Sequence, residues 1–411
     1  MAIYVQGLSA LAYYRNGGLA TEVERTSSQV RSLEEATSSR TEIVDAGIWR
    51  LGIGEPTEER PLEVLLHDAG QRTRSRAVHA RVWAGPLAPT SLRTVRKGIF
   101  VSSPEFVFLQ LATKLSLPEL VALGMELCGT YRRNVELPRA DGVGITLTTA
   151  YQQSPLSNPQ RLRGFISSMK SAPGQARALK AMRYVLPNSA SPMETALYLL
   201  LCLPRRLGGY ALPKPTLNPS IVFTKSGRKY TLKSFAKPDL YWKGERLDLE
   251  YDSDEFHDDS TRAFESMRRK ALERMKVEVI GLTPEELFST SLLHATAMRI
   301  ARRLKRRIRA EHEGSFVQSR FKLRQALLFS DVTAPPHIED ADADKRASYE
   351  TAGESHTDIG LHDEAIWIDE IPDAGPWEQN AWDIDDSWAI EVTEPDGRDL
   401  HVFGGGRFQA E

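Results

Sequence analysis

Residues 237–252 read Lys-Pro-Asp-Leu-Tyr-Trp-Lys-Gly-Glu-Arg-Leu-Asp-Leu-Glu-Tyr-Asp, and their alternation limits the segment to a narrow set of folds. Lys243-Gly244 is a turn signal between two short runs in which polar and apolar residues alternate, the pattern of a β-hairpin. With a period of two, Leu247, Leu249 and Tyr251 share one face of the second strand, and Asp248, Glu250 and Asp252 share the other. A two-residue loop at Lys243-Gly244 sets Asp239 opposite Asp248 and diagonal to Glu250, within reach of one small object. Two carboxylates about 5 Å apart, at an effective dielectric near 20, repel by roughly 3 kcal/mol. A cation offsets that repulsion, and an oxygen-only cluster suits Mg2+ or Mn2+. A strand face whose charges point into water is the alternative reading.

The flanking sequence supplies an element order. Ser191-Pro-Met-Glu194 opens a helical run from Thr195 to Cys202, and residues 220–224 read as a strand ahead of the hairpin. After His257 the spacing of Phe264, Met267, Ala271, Leu272 and Met275 predicts a helix over 259–275, and Val277–Leu282 a buried strand. Thr283-Pro-Glu-Glu286 carries an N-cap, a first-turn proline and a capping-box acid, so a long helix is expected to run to about Ala310. Strand, helix and second strand in this order form a parallel crossover unit. The order is helix, three strands, helix, strand, helix.

Pro238-Asp239, Glu250-x-Asp252 and His257 within that order resemble the PD-(D/E)XK restriction-endonuclease-like family, in the branch similar to very-short-patch-repair endonucleases. Glu194, and Glu265-x-x-Arg268-x-x-x-Leu272, extend the likeness over about residues 190–310. The resemblance implies an α/β fold with an α-β-β-β-α-β-α core around a mixed sheet. It implies that Asp239 and Glu250 bind the catalytic metal, with Asp252 close by. Glu194 is then the acid of the first helix, and His257 a group that orients or deprotonates the attacking water. Asp252 stands where the general signature has lysine, with Lys237 or Lys270 as substitutes, and Ser253 stands where a glycine is expected.

Each of these residues also has a plain structural reading. Glu194 follows Ser191 by three, as a capping-box acid does. His257 closes the hairpin or bonds a carbonyl, and Glu265 with Arg268 forms a helical ion pair. Chemically, a divalent ion held by two acids polarises a phosphodiester and generates hydroxide. Histidine titrates in the range that lets it take the proton.

Charge supports a polyanionic partner. The 411-residue chain has a formal net charge of −2, but residues 332–411 hold 21 acidic and 4 basic side chains. That leaves +15 on residues 1–331, as phosphate binding requires. Arg299, Arg302, Arg303, Lys305, Arg306, Arg307 and Arg309 crowd the last core helix and are the expected nucleic-acid contacts, a solvated helix face being the alternative. A second basic helical stretch includes Arg161, Arg163, Lys170, Arg177, Lys180 and Arg183. No apolar run is long enough for a bilayer span, and the N-terminus lacks a secretory pattern. Two cysteines in apolar helical settings fit a reducing, cytoplasmic location.

Four regions are expected. Residues 1–150 form an α+β domain, with strands at Pro61–Leu66, Ala77–Trp83 and Gly98–Val101 and helices opened by Ser103-Pro-Glu and Ser116-Leu-Pro-Glu. Their strand, Ser-Pro-Glu, helix pattern resembles, more loosely, abortive-infection antitoxin-like domains. Residues 151–190 are a basic helical connector, 191–330 the endonuclease-like domain and 331–411 an acidic, Trp-containing, largely disordered tail. The tail is expected to bind the basic body in cis or to recruit a protein partner. The expected function is Mg2+-dependent hydrolysis of DNA, in phage defence or repair; the alternative is a noncatalytic DNA-binding regulator that keeps the fold.

Overall fold

The computed structural model describes residues 2–18, 21–22, 33, 36–53, 56–83, 87–138, 145–231, 233–252, 259–308 and 314–329. His257, Arg309 and the acidic tail lie outside the described residues, as does the side chain of Glu265. Residues Met1–Ala341 cluster as one unit and Asp342–Glu411 as another. Among the described residues the chain is mixed α/β, with two mixed sheets and eleven α-helices. None of these helices is long and apolar enough to cross a membrane.

The first half is built on a six-stranded sheet. Its strands are β1 (Ile3–Val5), β2 (Thr21–Glu22), β3 (Leu62–Leu66), β4 (Val78–Val82), β5 (Leu92–Arg96) and β6 (Ile99–Ser102), in the order β2-β5-β6-β1-β3-β4. The β1–β6 and β3–β4 pairs are parallel, and β1–β3, β5–β6 and β2–β5 are antiparallel. Helix α1 (Gly7–Arg15) and the short α2 (Arg40–Asp45) precede β3; α3 (Pro104–Leu111) and α4 (Leu117–Leu127) follow β6. Ser103 caps α3, and Ser116 with Glu119 closes a full capping box on α4, so both expected helix starts hold. A hairpin, β7 (Arg132–Pro138) and β8 (Ile145–Ala150), leads to α5 (Pro159–Ser168) and α6 (Gln175–Ala181).

The second half starts with α7 (Pro192–Cys202), buried at every position from Glu194 onward. Next come β9 (Thr216–Leu217), β10 (Ile221–Val222), β11 (Phe235–Ala236), β12 (Leu240–Trp242) and β13 (Leu247–Tyr251). Helix α8 (Asp259–Arg274) crosses to β14 (Glu278–Leu282), followed by α9 (Pro284–Phe288), α10 (Thr290–Arg303) and α11 (Gly314–Arg324). The sheet order is β14-β13-β12-β9, and β13 pairs β14 in parallel, as a crossover unit requires.

Three expectations are corrected here. The strand read at residues 220–224 does not join the central sheet: β10 pairs only β11, in a separate two-stranded ribbon, and β9 takes the edge of the sheet instead. The single long helix after Thr283 divides at Ser289, whose backbone is extended and whose hydroxyl accepts from Leu292 N. That Ser interrupts one helix because it caps the next. The second helix stops at Arg303, and Lys305 turns the chain through positive φ, well short of Ala310.

The core is continuous across residue 150. One apolar cluster runs from Ala2 through Phe106, Leu197 and Leu249 to Leu327. A smaller cluster of Phe223, Ala236, Ala271, Leu272 and Val277 fills the other side of the second sheet, beneath α8. Met267, expected on the buried side of α8, is instead 42% exposed. Cys128 and Cys202 are buried free thiols.

Candidate carboxylate site

The hairpin turn is longer than its Lys-Gly signal suggested. Arg246 N donates to Lys243 O and Arg246 sits at φ 51°, which makes a four-residue turn. The register then pairs Leu240 with Leu249, Tyr241 with Asp248 and Trp242 with Leu247. One more step places Asp239 across from Glu250, not Asp248. A shift of two residues preserves the faces, so the acids still share one side. Asp239 is fixed there because Tyr251 N donates to its Oδ2 at 2.8 Å.

Glu194 reaches the same end of the sheet from α7. Its own N–H donates to Ser191 Oγ, so the helix-cap reading holds for the backbone. Its carboxylate does more than close a cap: Oε2 accepts from Ala190 N at 2.8 Å and from Asn218 Nδ2 at 2.6 Å. Asn218 in turn donates its N–H to Asp239 O, which ties the α7 acid to the start of β12. Burial raises the Glu194 carboxyl above its ordinary range against those donors, and nearby Glu250 adds to the effect. Asp239 is raised well above its usual value, by burial first and then by the charges of Glu194 and Glu250.

Asp248 was recognised as a member of this face but not as a site residue. It is fully buried, with Tyr241 and Val279 as cross-strand neighbours, both packed against the apolar cluster under α8. Neither of its carboxyl oxygens has a hydrogen-bond partner. Burial, and next the adjacent Glu250, push it up to about 10, so it is neutral at physiological pH.

Among the described residues one cation is seen to enter the cluster. Arg268 on α8 meets Glu250 Oε2 with Nη2 at 2.5 Å and donates from Nη1 to Lys237 O at 3.5 Å. This contact directs Arg268 at the sheet; the Glu265 side chain of the expected helical pair lies outside the described residues. Glu250 Oε1 remains buried without a hydrogen bond. Asp252 is exposed and leans over β14, its Oδ2 occupying the space a side chain at Gly281 would fill. Since β14 lies on the opposite flank of β13 from β12, Asp252 points away from Asp239.

Among the described residues no three His, Cys, Asp or Glu side chains converge as a metal-ligating group. The facing pair Asp239 and Glu250, with one orphaned oxygen, still matches the demand of Mg2+, which takes one or two carboxylates and completes its shell with water. The chemistry of the donor set therefore fits such an ion.

Among the described residues the basic stretch does not join this cluster. Arg299 and Arg303 pair with Glu278, at 3.4 Å and 2.6 Å, and Arg303 Nη2 also donates to Glu245 O. Glu278 is in register with Leu247, on the face that α10 covers, whereas the acids point to the face under α8. Arg302, Lys305, Arg306 and Arg307 are exposed. No family model matches the chain, and neither a curated protein nor a solved structure is significantly similar to it.

Proposed function

We propose that the chain is a divalent-metal-dependent nuclease acting on DNA phosphodiesters inside the reducing cytoplasm, with a restriction-endonuclease-like core in its second half. The observation that carries this reading is the opposition of Asp239 and Glu250 at one end of the sheet, with a buried carboxylate oxygen left without a donor. Asp239 and Glu250 are the residues that would hold Mg2+ or Mn2+. The ion, when bound, supplies Lewis-acid polarisation of the phosphodiester and a water of lowered pKa.

The chain's own groups prepare that site. Tyr251 N–H aims the Asp239 carboxylate, and Asn218 holds Glu194 against the same end of the sheet. Arg268 balances Glu250 and stands where it can also neutralise charge on a phosphoryl oxygen. Glu194, Asp248 and Glu250 are buried and Asp239 is partly so, which limits solvent screening of the charges an entering cation would meet.

A second reading, a DNA-binding regulator without hydrolysis, draws on two observations. Arg268 engages one oxygen of Glu250, and the residue in place of the signature lysine, Asp252, turns toward Gly281. Plasmid incubated with Mg2+ or Mn2+ separates the two. Nicking by the parent that Asp239→Asn and Glu250→Gln each reduce at least a hundredfold supports hydrolysis. Tight binding with no nicking under either metal supports the regulator.

A further inference from the structure

The ribbon of β10 and β11 is chemically unlike the rest of the second half. Residues 224–237 include Lys225, Arg228, Lys229, Lys233 and Lys237 and no acid. All five cations are exposed. Val222 and Phe235 lie directly across from each other and are 55% and 45% exposed, an apolar pair displayed between positive charges. The alternate residues Phe223 and Ala236 point inward, into the cluster beneath α8. The ribbon therefore has a fixed inner side and a free outer one.

Its placement is equally specific. The turn after β10 lies flush on α8, because a side chain at Gly227 would sit within 3.4 Å of Met275 Sδ and Ala271 O. Phe223 N donates to Ser234 O and extends the ladder, and the Arg268 bond to Lys237 O ties its exit to the acid-binding helix. Two residues separate Ala236 from Asp239, so the ribbon emerges on the face that holds the carboxylates. Exposed Arg269 and Lys270 on α8 enlarge the positive field there. The α10 arginines, by contrast, are on the other face, and two are already engaged by Glu278.

We infer that the β10–β11 ribbon is the element that contacts double-stranded DNA. Its lysines take the backbone phosphates, and Val222 and Phe235 meet base edges in the major groove. The major groove of B-form DNA admits a two-stranded ribbon, and apolar side chains there contact thymine methyls, whereas the deep, narrow groove of A-form RNA excludes such an element. Lysine contacts to phosphate supply the affinity and the register. The inference rests on the DNA component of the functional reading and is independent of hydrolysis.

Anisotropy titration of a labelled duplex in EDTA, over a series of salt concentrations, tests it without any cleavage. Lys229→Glu/Lys233→Glu is expected to weaken binding at least tenfold, and to reduce the slope of log K against log salt by about two phosphate contacts. The neutral pair Lys229→Gln/Lys233→Gln, which removes the two charges without reversing them, gives the same direction of change in slope. Phe235→Ser weakens binding several-fold with the slope intact. Reversal of Arg302 on α10 and of Arg306 just beyond it changes affinity less than twofold. Unchanged ribbon variants, a larger loss at α10, preference for an RNA duplex of the same sequence, or a parent without affinity for duplex would each overturn the assignment. Ribbon-dependent binding by a protein that never nicks DNA would retain it and remove the nuclease reading alone.

Discussion

Both halves of the molecule bury acids, and they treat them in opposite ways. Around the first sheet each buried carboxylate has cations of its own. Glu126 meets Arg15 through two hydrogen bonds at 2.8 and 2.7 Å, Glu63 pairs with Lys114, and Glu105 has Arg161 at 3.4 Å and Arg93 at 3.9 Å. Around the second sheet Glu194, Asp239, Asp248 and Glu250 gather with Arg268 as the cation whose contact is defined. Burial alone would raise Glu126, but Arg15, with the Arg133 N–H, holds it below the ordinary range. At Asp239 and Asp248 burial prevails and the shift is upward. The acids of the first half are matched by their own cations, whereas those of the second half are raised by burial and by one another.

This contrast is open to direct challenge. The largest expected effect is at Glu126→Gln, which strands the Arg15 guanidinium and should cost about 3–5 kcal/mol in denaturant unfolding. A loss under 1 kcal/mol would erase the difference between the halves. Next is Asp248→Asn. Its folded pKa, about 10, lies above the value of about 3.9 for an unfolded aspartate, so the folded state holds the proton more tightly. Stability from this group is full below pH 4 and is lost progressively as pH rises toward the folded pKa. Asp248→Asn should therefore melt higher than the parent at pH 8 and equal to it near pH 4. Parallel melting curves at both pH values would show that this acid is not a source of strain. The smallest effect belongs to the exposed Arg303–Glu278 pair: Arg303→Ser should change stability by less than about 1 kcal/mol.

The sequence made some of this legible and concealed the rest for physical reasons. Alternation over Leu247–Tyr251 revealed which acids share a face, because a strand has only two sides. The turn length was hidden, since the left-handed position is taken by Arg246 and not by the glycine two residues earlier. Ser103, Ser116, Ser191 and Thr283 were readable because a cap acts within three residues. Glu126 was not, since its partner Arg15 is 111 residues distant and one acid in an apolar helix carries no local sign of its mate. The contact of Arg268 with Glu250 was obscured similarly, since it joins a helix to a strand 18 residues away in the chain.

Helix α7 has no solvent-facing side along its length after Met193. Tyr131, from the segment entering the first hairpin, shares a hydrogen bond with Thr195, the neighbour of Glu194. The first half is thus a wall of the room in which the acids stand. A fragment beginning at residue 190 would present a bare leucine-rich rod to water, so reducing this protein to its second half should yield aggregates before it yields a folded piece.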